Sequence, residues 1–283
     1  MKRVVVTGAN GYIGSHVVAE LMKFPNEFSV VAAGRSNENL PKETDFVYFD
    51  LIRDAEDEGV YNKLGSPEIC VHLAWRDGFQ HNALSHITDF PKHFLFLKNL
   101  AEHGTNQLAV AGSFREYGSV NGMVNESREV KPNNYYTLSK MMLKDALEIA
   151  LDKNICLQWL RPFTVYGDDK RNQSILSKII QWESEGKTSF PFTDGNEEYD
   201  YISVYDLAKQ ITAIISQNEI DGVIDCCSGK PTRLGDHVEK FIEENGFTIR
   251  PEYGAFPRRR YDSPVIYGDR TKIDKILKRC KLY

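Results

Sequence analysis

From residue 3 to about 167 the chain alternates short apolar runs with amphipathic segments. The runs read VVVTG, FSVVAAG, FVYFD, EICVHLAW, QLAVAGS and ICLQWLRPF, and the amphipathic segments lie near 13–23, 83–103 and 135–152. Valine and isoleucine fill the runs without strict polar alternation, which predicts strands buried on both faces of a parallel sheet, with helices covering each face. Beyond Gly167 the pattern loosens. It predicts a helix over 173–186, a strand YDYISV leading into a helix that ends near 216, a strand over 222–226, a helix over 233–245, and a short strand and terminal helix within 265–281. This half reads as a smaller lobe interleaved with the sheet, with no repeat or low-complexity linker before it.

Composition narrows the class. The 283 residues are 41% hydrophobic and 27% charged, too apolar for disorder and too charged for a membrane bundle. A chain this long can bury about three quarters of its unfolded surface, so it needs no disulfide or metal staple. A net charge of −5 offers no general attraction to polyanions, which excludes nucleic acid or an anionic membrane as the main partner. The run Arg258-Arg259-Arg260 is a local exception. No stretch approaches the roughly 18 apolar residues of a membrane span. The opening MKRVVVTGAN has only three consecutive valines before polar residues and glycine, unlike a secretory leader, so the expected compartment is the cytoplasm. The five cysteines, at 70, 156, 226, 227 and 280, show no CxxC spacing and are expected as reduced core residues. The seven histidines show no HExxH or paired spacing, and no metal is expected.

Candidate chemistry begins at TGANGYIG, which sets Gly8, Gly11 and Gly14 between a valine strand and a helix. Glycines at such a turn serve a tight reversal, close approach of backbone to phosphate, and helix-to-strand packing. The helix N-terminus would then face a pyrophosphate. At the end of the second strand an acid would hold the ribose 2′-hydroxyl of NAD, but the chain has Arg35 and Ser36 there. Arginine pairs bidentately with a 2′-phosphate, so NADP is the expected cofactor. Asp50, after the third strand, is placed to accept from the adenine amino group or to cap a turn.

Tyr136 and Lys140 stand four apart in a segment of helical period, hence on one helix face. A lysine ammonium and an oxidised nicotinamide beside a phenol would draw its pKa from about 10 towards neutrality, making Tyr136 a proton carrier. Ser113 lies 23 residues upstream, at the end of strand five.

With TGANGYIG (7–14), VHLAW (71–75), GSFREYG (112–118), Tyr136-xxx-Lys140, LRPFTVYG (160–167) and YDYISVYDLA (199–208), nearly the whole chain resembles the extended short-chain dehydrogenase/reductase family, in its nucleotide-sugar epimerase, dehydratase and reductase branch. The resemblance implies a Rossmann-like doubly wound parallel sheet over 1–167. It also implies a smaller C-terminal substrate-binding lobe over 168–283, from which about 199–216 returns to the Rossmann core. Ser113 would bond the reacting oxygen, Tyr136 act as acid/base, and Lys140 hold the ribose. Asn10, Tyr12, Ile13, Leu51, Leu73, Ala74, Trp75, Pro162 and Val165 would join the cofactor residues. Arg76, Phe114, Arg115, Thr164, Gln173, Arg258 and Arg260 would join Ser113 on the substrate side. The helices at 86–103 and 135–152 could pair with a second copy.

Departures from the family pattern select among activities. The dehydratases of this branch carry Asp and Glu directly after the serine, and the epimerase/reductases that make GDP-fucose carry a cysteine two residues after it. This chain has Phe114 and Arg115, and arginine neither gives nor takes a proton here. The 4-epimerases often have Asn at Thr164 and Arg at Tyr199. The reading is therefore an NADPH-dependent reductase of a nucleotide-linked 4-keto-6-deoxyhexose. An NAD-dependent nucleotide-sugar 4-epimerase is the alternative. A cofactor-sensing binding protein without chemistry is disfavoured by the presence of Ser113, Tyr136 and Lys140.

Overall fold

The structure, a computed structural model, describes residues 1–167, 169–258 and 262–283. In chain order the first half holds β1 (Lys2–Thr7), α1 (Tyr12–Leu21), β2 (Phe28–Gly34), β3 (Asp45–Tyr48), α2 (Leu51–Asp54), α3 (Val60–Lys63), β4 (Ile69–His72), α4 (Ser85–His103), β5 (Gln107–Ala111), β6 (Asn121–Val124), α5 (Tyr135–Ala150), β7 (Cys156–Pro162) and β8 (Thr164–Tyr166). There follow α6 (Ile175–Ser184), β9 (Ser189–Pro191), β10 (Glu198–Ser203), α7 (Val204–Ile215), β11 (Gly222–Cys226), β12 (Pro231–Arg233), α8 (Leu234–Glu244), β13 (Arg250–Glu252), β14 (Val265–Gly268) and α9 (Thr271–Arg279).

Seven strands form one parallel sheet in the order β11-β7-β5-β4-β1-β2-β3. The valine run of β1 shows why its apolar positions do not alternate. Successive side chains point to opposite faces, and here both faces are covered. Val4 and Val6 pack with Val17, Val18 and Leu21 of α1 and with Leu207, Ile211 and Ile214 of α7. Val5 packs on the other side with Phe96, Leu97 and Leu100 of α4 and Leu143 and Leu147 of α5. Each such side chain, fully buried, contributes about 1.5–3 kcal/mol. The helices after β1 and β4 thus lie on opposite faces, which opens a crevice at the carboxyl ends of these two neighbouring strands, where ligands of open α/β sheets bind.

After β7 the chain leaves this sheet. β8 pairs with β10 in a second sheet ordered β12-β10-β14-β6, and β9 pairs with β13. Leu176 and Ile179 of α6, Val238 and Ile242 of α8, and Phe190, Phe192 and Ile249 give this lobe its own core. Within the expected return over about 199–216, α7 packs on the large sheet, and the return extends further along the chain. Strand β10 belongs to the second sheet, whereas α7, β11 and α9 all join the large one, α9 through Ile273 and Ile276. The cause is that β11 extends the large sheet beside β7, and α9 packs over it.

All five cysteines are free, and four are buried. Among the described residues no helix is long and apolar enough to cross a membrane, and no three metal-ligating side chains are grouped to hold a metal ion. Leu95 on α4 and Leu138, Met142 and Ile149 on α5, the helices expected to pair with a second copy, are exposed.

Candidate active site

The glycine loop leaves β1 with Gly8 at φ +68°, a left-handed conformation that a Cβ would strain, and that Cβ would lie 2.7 Å from the Ala74 nitrogen after β4. A Cβ on Gly14 would stand 2.1 Å from the Gly8 carbonyl oxygen, so α1 closes on the loop only as glycine allows. Gly11 is the N-cap of α1, and no side chain caps the helix. The positive end of the helix thus faces the glycine loop without a capping side chain, which is where the pyrophosphate of a dinucleotide would fit. The Tyr12 hydroxyl donates to the Gly167 carbonyl and ties the loop to the end of β8. Ile13 packs into the α1 side of the core.

At the end of β2, Asn10 donates to Ser36 Oγ at 3.3 Å and lies against Gly34, so loop and strand end are joined. Arg35 beside them is exposed and has no partner among the described residues. Asp50 Oδ1 accepts from the Ile52 N–H at 3.0 Å and caps α2, so that oxygen fills the turn role. Leu51 is buried in the core under α4. After β4, Leu73 turns to one face of the sheet and Trp75 to the other. Pro162 ends β7, paired with Cys226, and Val165 of β8 packs on the α1 side of the core.

Ser113, just past β5, has extended backbone and caps the short 3₁₀ turn Phe114–Tyr117. Its Oγ accepts from the Arg115 N–H at 3.2 Å, while the Glu116 carboxylate accepts from the Ser113 N–H at 2.8 Å. This reciprocal cap fixes the serine's direction. Tyr136, half-buried in the first turn of α5, has the Ser113 side chain close enough to act on its hydroxyl. Lys140, one turn on and 2% exposed, donates to the Ala111 carbonyl. The three sequence-selected residues therefore meet at the carboxyl edge of β5.

The chain's own groups do not by themselves draw the Tyr136 phenol towards neutrality. Burial pushes the Tyr136 phenol up to about 12, opposed by the Ser113 side chain. Burial also pushes the Lys140 amine down to about 7. The Lys140 nitrogen lies 3.7 Å from the Trp75 ring centre but 5.8 Å from that of Tyr136. The chain's own residues thus keep the tyrosine protonated, because the nearby cation is turned onto the indole.

On the substrate side, Phe114 stacks on Phe163 at 5.3 Å, and Arg115 faces Asp262 at 3.5 Å. Both line a small cleft with Asn133, Asn134, Tyr199 and Ser263. Thr164 sits beside Tyr201 across β8 and β10. Three other residues lie elsewhere or are engaged. Arg76 makes a bidentate pair with Asp89, Gln173 is exposed ahead of the Ser174 cap of α6, and Arg258 faces the buried Glu197 at 3.4 Å. Arg260 lies outside the described residues.

Sequence reasoning missed two parts of the site. One is Glu116, although Ser113-x-x-Glu116 is a legible capping-box spacing. The other is a cluster of four of the seven histidines around Trp75 and Tyr136. His72 shares 2.8 Å hydrogen bonds with Thr7 and His93, His93 stacks on Trp75 at 4.2 Å, and His81 stacks on Tyr136 at 5.6 Å. His86 accepts from the Trp75 indole N–H at 3.0 Å. The only signal was His86 and His93 seven apart, two turns along one helix face.

A dinucleotide cradle facing a protonated tyrosine across the crevice defines the class of short-chain dehydrogenases and reductases, which use a nicotinamide dinucleotide. Comparison with known proteins narrows this. The model of the NAD dependent epimerase/dehydratase family matches residues 4–226. The chain is 35% identical over 268 residues to dTDP-6-deoxy-L-talose 4-dehydrogenase (NAD(+)) of Aggregatibacter actinomycetemcomitans, covering 94% of this chain and 98% of that one. It is 25% identical over 324 residues to UDP-arabinose 4-epimerase 1 of Arabidopsis thaliana, covering 97% and 74%. In fold it is similar to UDP-glucose 4-epimerase from Thermotoga maritima, with a TM-score of 0.82 at 21% identity over 96% of this chain and 91% of that one. MoeE5, solved with UDP-glucuronic acid and NAD, gives a TM-score of 0.80 at 24% identity over 98% and 92%. The chain belongs to the NAD-dependent epimerase/dehydratase family, within the extended short-chain dehydrogenases/reductases, and is an enzyme.

Proposed function

We propose that this enzyme modifies a nucleotide sugar, reducing the C4 ketone of a nucleotide-linked 4-keto-6-deoxyhexose with NADPH. The observation that carries the reading is the meeting of Ser113, Tyr136 and Lys140 while Phe114 and Arg115 fill the adjoining positions. A stacked phenyl ring and an arginine facing a carboxylate supply no acid or base for elimination or ring-carbon epimerisation. The Aggregatibacter relative, a 4-dehydrogenase of a dTDP-6-deoxyhexose by name, supports C4 as the reacting carbon, since oxidation and reduction share one path.

The nicotinamide, when bound, supplies the hydride. Tyr136, held protonated by burial, gives its proton to the C4 oxygen, the direction that suits reduction. Ser113 holds that oxygen with its hydroxyl. The N-terminus of α1, Arg35, Ser36 and Lys140 would hold the dinucleotide.

The assay offers the purified protein NADPH with dTDP-, CDP-, UDP- and GDP-linked 4-keto-6-deoxy sugars, and separately UDP-glucose or UDP-galactose without cofactor. Oxidation of NADPH by at least one keto sugar is expected. Interconversion of the second pair, with no NADPH oxidised by any keto sugar, would replace the reductase with a 4-epimerase.

The NADP preference rests on the exposed Arg35 where an acid would select NAD. Arg35→Ala is expected to weaken NADPH affinity about tenfold to a hundredfold, the worth of a charge-assisted hydrogen bond of about 1.5–3 kcal/mol, and to leave NADH nearly unaffected. Equal use of both cofactors by the unmodified protein would remove the argument.

A further inference from the structure

Lys140 is a buried cation with few polar partners. Its nitrogen has one described hydrogen bond, to the Ala111 carbonyl, and lies over the indole of Trp75, 3.7 Å from the ring centre. A desolvated ammonium on an indole face is a strong form of the cation–π contact. The indole itself is held from its edge and by stacking. Trp75 Nε1–H donates to His86 Nδ1 at 3.0 Å. His86 Nε2 lies 3.1 Å from the Gln80 carbonyl, which only accepts, so the proton of a neutral His86 sits on Nε2 and Nδ1 is free to receive the indole. The His93 ring stacks on Trp75 at 4.2 Å, so the ammonium and His93 take opposite faces of the indole. His93 is in turn fixed through His72 to Thr7 at the end of β1.

We propose that Trp75 is a positioning residue for the reaction, an aromatic seat that holds Lys140 in its charged form in a buried site and sets the pH at which that charge is lost. The inference rests on the reading of Tyr136 and Lys140 as the working pair. The titratable groups facing Lys140 are Glu116 past β5, Tyr136 on α5, His72 on β4, and His86 and His93 on α4. Of these only Glu116 favours the ammonium, and burial opposes it, bringing the amine down to about 7. The three histidines are themselves held neutral by burial, so they do not compete for the charge at neutral pH. Beside Glu116 and the Ala111 carbonyl, the indole face is what supports the ammonium against burial.

The test follows the Lys140 titration by NMR in the full chain carrying isotope-labelled lysine, with Lys140→Arg assigning the signal. Trp75→Leu is expected to lower the midpoint by about one pH unit, a tenfold loss of proton affinity, and Trp75→Phe to restore most of it. Should Trp75→Leu fail to fold, mono-, di- and trifluorotryptophan drain the ring's negative face at nearly constant shape, and the midpoint should fall with each fluorine. A midpoint unmoved by fluorination, or one lowered as far by Phe as by Leu, overturns the proposal. The alkaline limb of keto-sugar reduction should move with the midpoint. Because the titration needs neither sugar nor cofactor, failure of the reductase reading would show in the turnover assay alone.

Discussion

Tyr136→Phe is expected to lower turnover of a 4-keto sugar with NADPH by at least about a hundredfold, the usual contribution of a positioned acid or base, while cofactor affinity changes little. The substitution deletes one oxygen and leaves the ring. The ring's contacts, a stack on His81 at 5.6 Å and edges toward His86 at 5.3 Å and Trp75 at 6.1 Å, do not involve that oxygen. Nor does the backbone bond from the Tyr136 N–H to the His81 carbonyl at 2.9 Å, which ties α5 to the loop after β4. Ser113 keeps its cap bond from Arg115, so its hydroxyl stays in place without the phenol. The loss should therefore fall on kcat, because the proton is needed only as the ketone oxygen gains charge. Steady-state kinetics of the variant beside NADPH fluorescence titration would separate the two. A variant retaining more than about a tenth of the wild-type rate would exclude Tyr136 as the proton donor.

How far the site was legible follows from the range of each interaction. The large sheet was readable because a strand covered on both faces must be apolar at every position, as Val4, Val5 and Val6 are. The glycine loop and the Tyr136–Lys140 spacing are local, set within one turn and one helix. The second sheet was not readable. Strands β6, β8 and β12 are three or four residues long and find partners far along the chain, as β6 does with β14. Charge availability was equally hidden. Arg76 and Arg258 were expected on the substrate side, but Asp89 lies 13 residues from the first and Glu197 far from the second, and only the fold brings them together. The seat of Lys140 likewise combines β4, α4 and α5, so a sequence gives Trp75 no special mark.

Glu116→Ala is expected to be the most destabilising single change beside the site, because this carboxylate is fully buried and serves three donors. It accepts from Arg161 Nε at 2.8 Å, from the Trp159 indole N–H at 3.1 Å, and from the Ser113 N–H at 2.8 Å. Arg161 is buried too, over the Tyr117 ring at 4.5 Å, and the Tyr117 hydroxyl donates to Asp225, whose carboxyl burial pushes up to about 7. Arg161 pairs directly with Glu116, and burial disfavours the charge on Asp225, so Glu116 is the main counter-charge for Arg161. Removing it leaves a buried cation uncompensated, which costs about 3–5 kcal/mol. At about 2–4 °C per kcal/mol for a large domain, Tm should fall by on the order of 10 °C. Glu116→Gln keeps much of the shape and one acceptor oxygen, so its fall should be smaller. A double change to Glu116→Leu with Arg161→Met should recover part of the loss by removing the orphaned charge. The same carboxylate fixes the Ser113 backbone, so Glu116→Gln should also lower kcat for the keto sugar more than it raises KM. Thermal unfolding of the three variants decides the point: an Ala variant melting within about 2 °C of the wild type would mean that Arg161 finds another partner and that Glu116 is not what holds the serine in place.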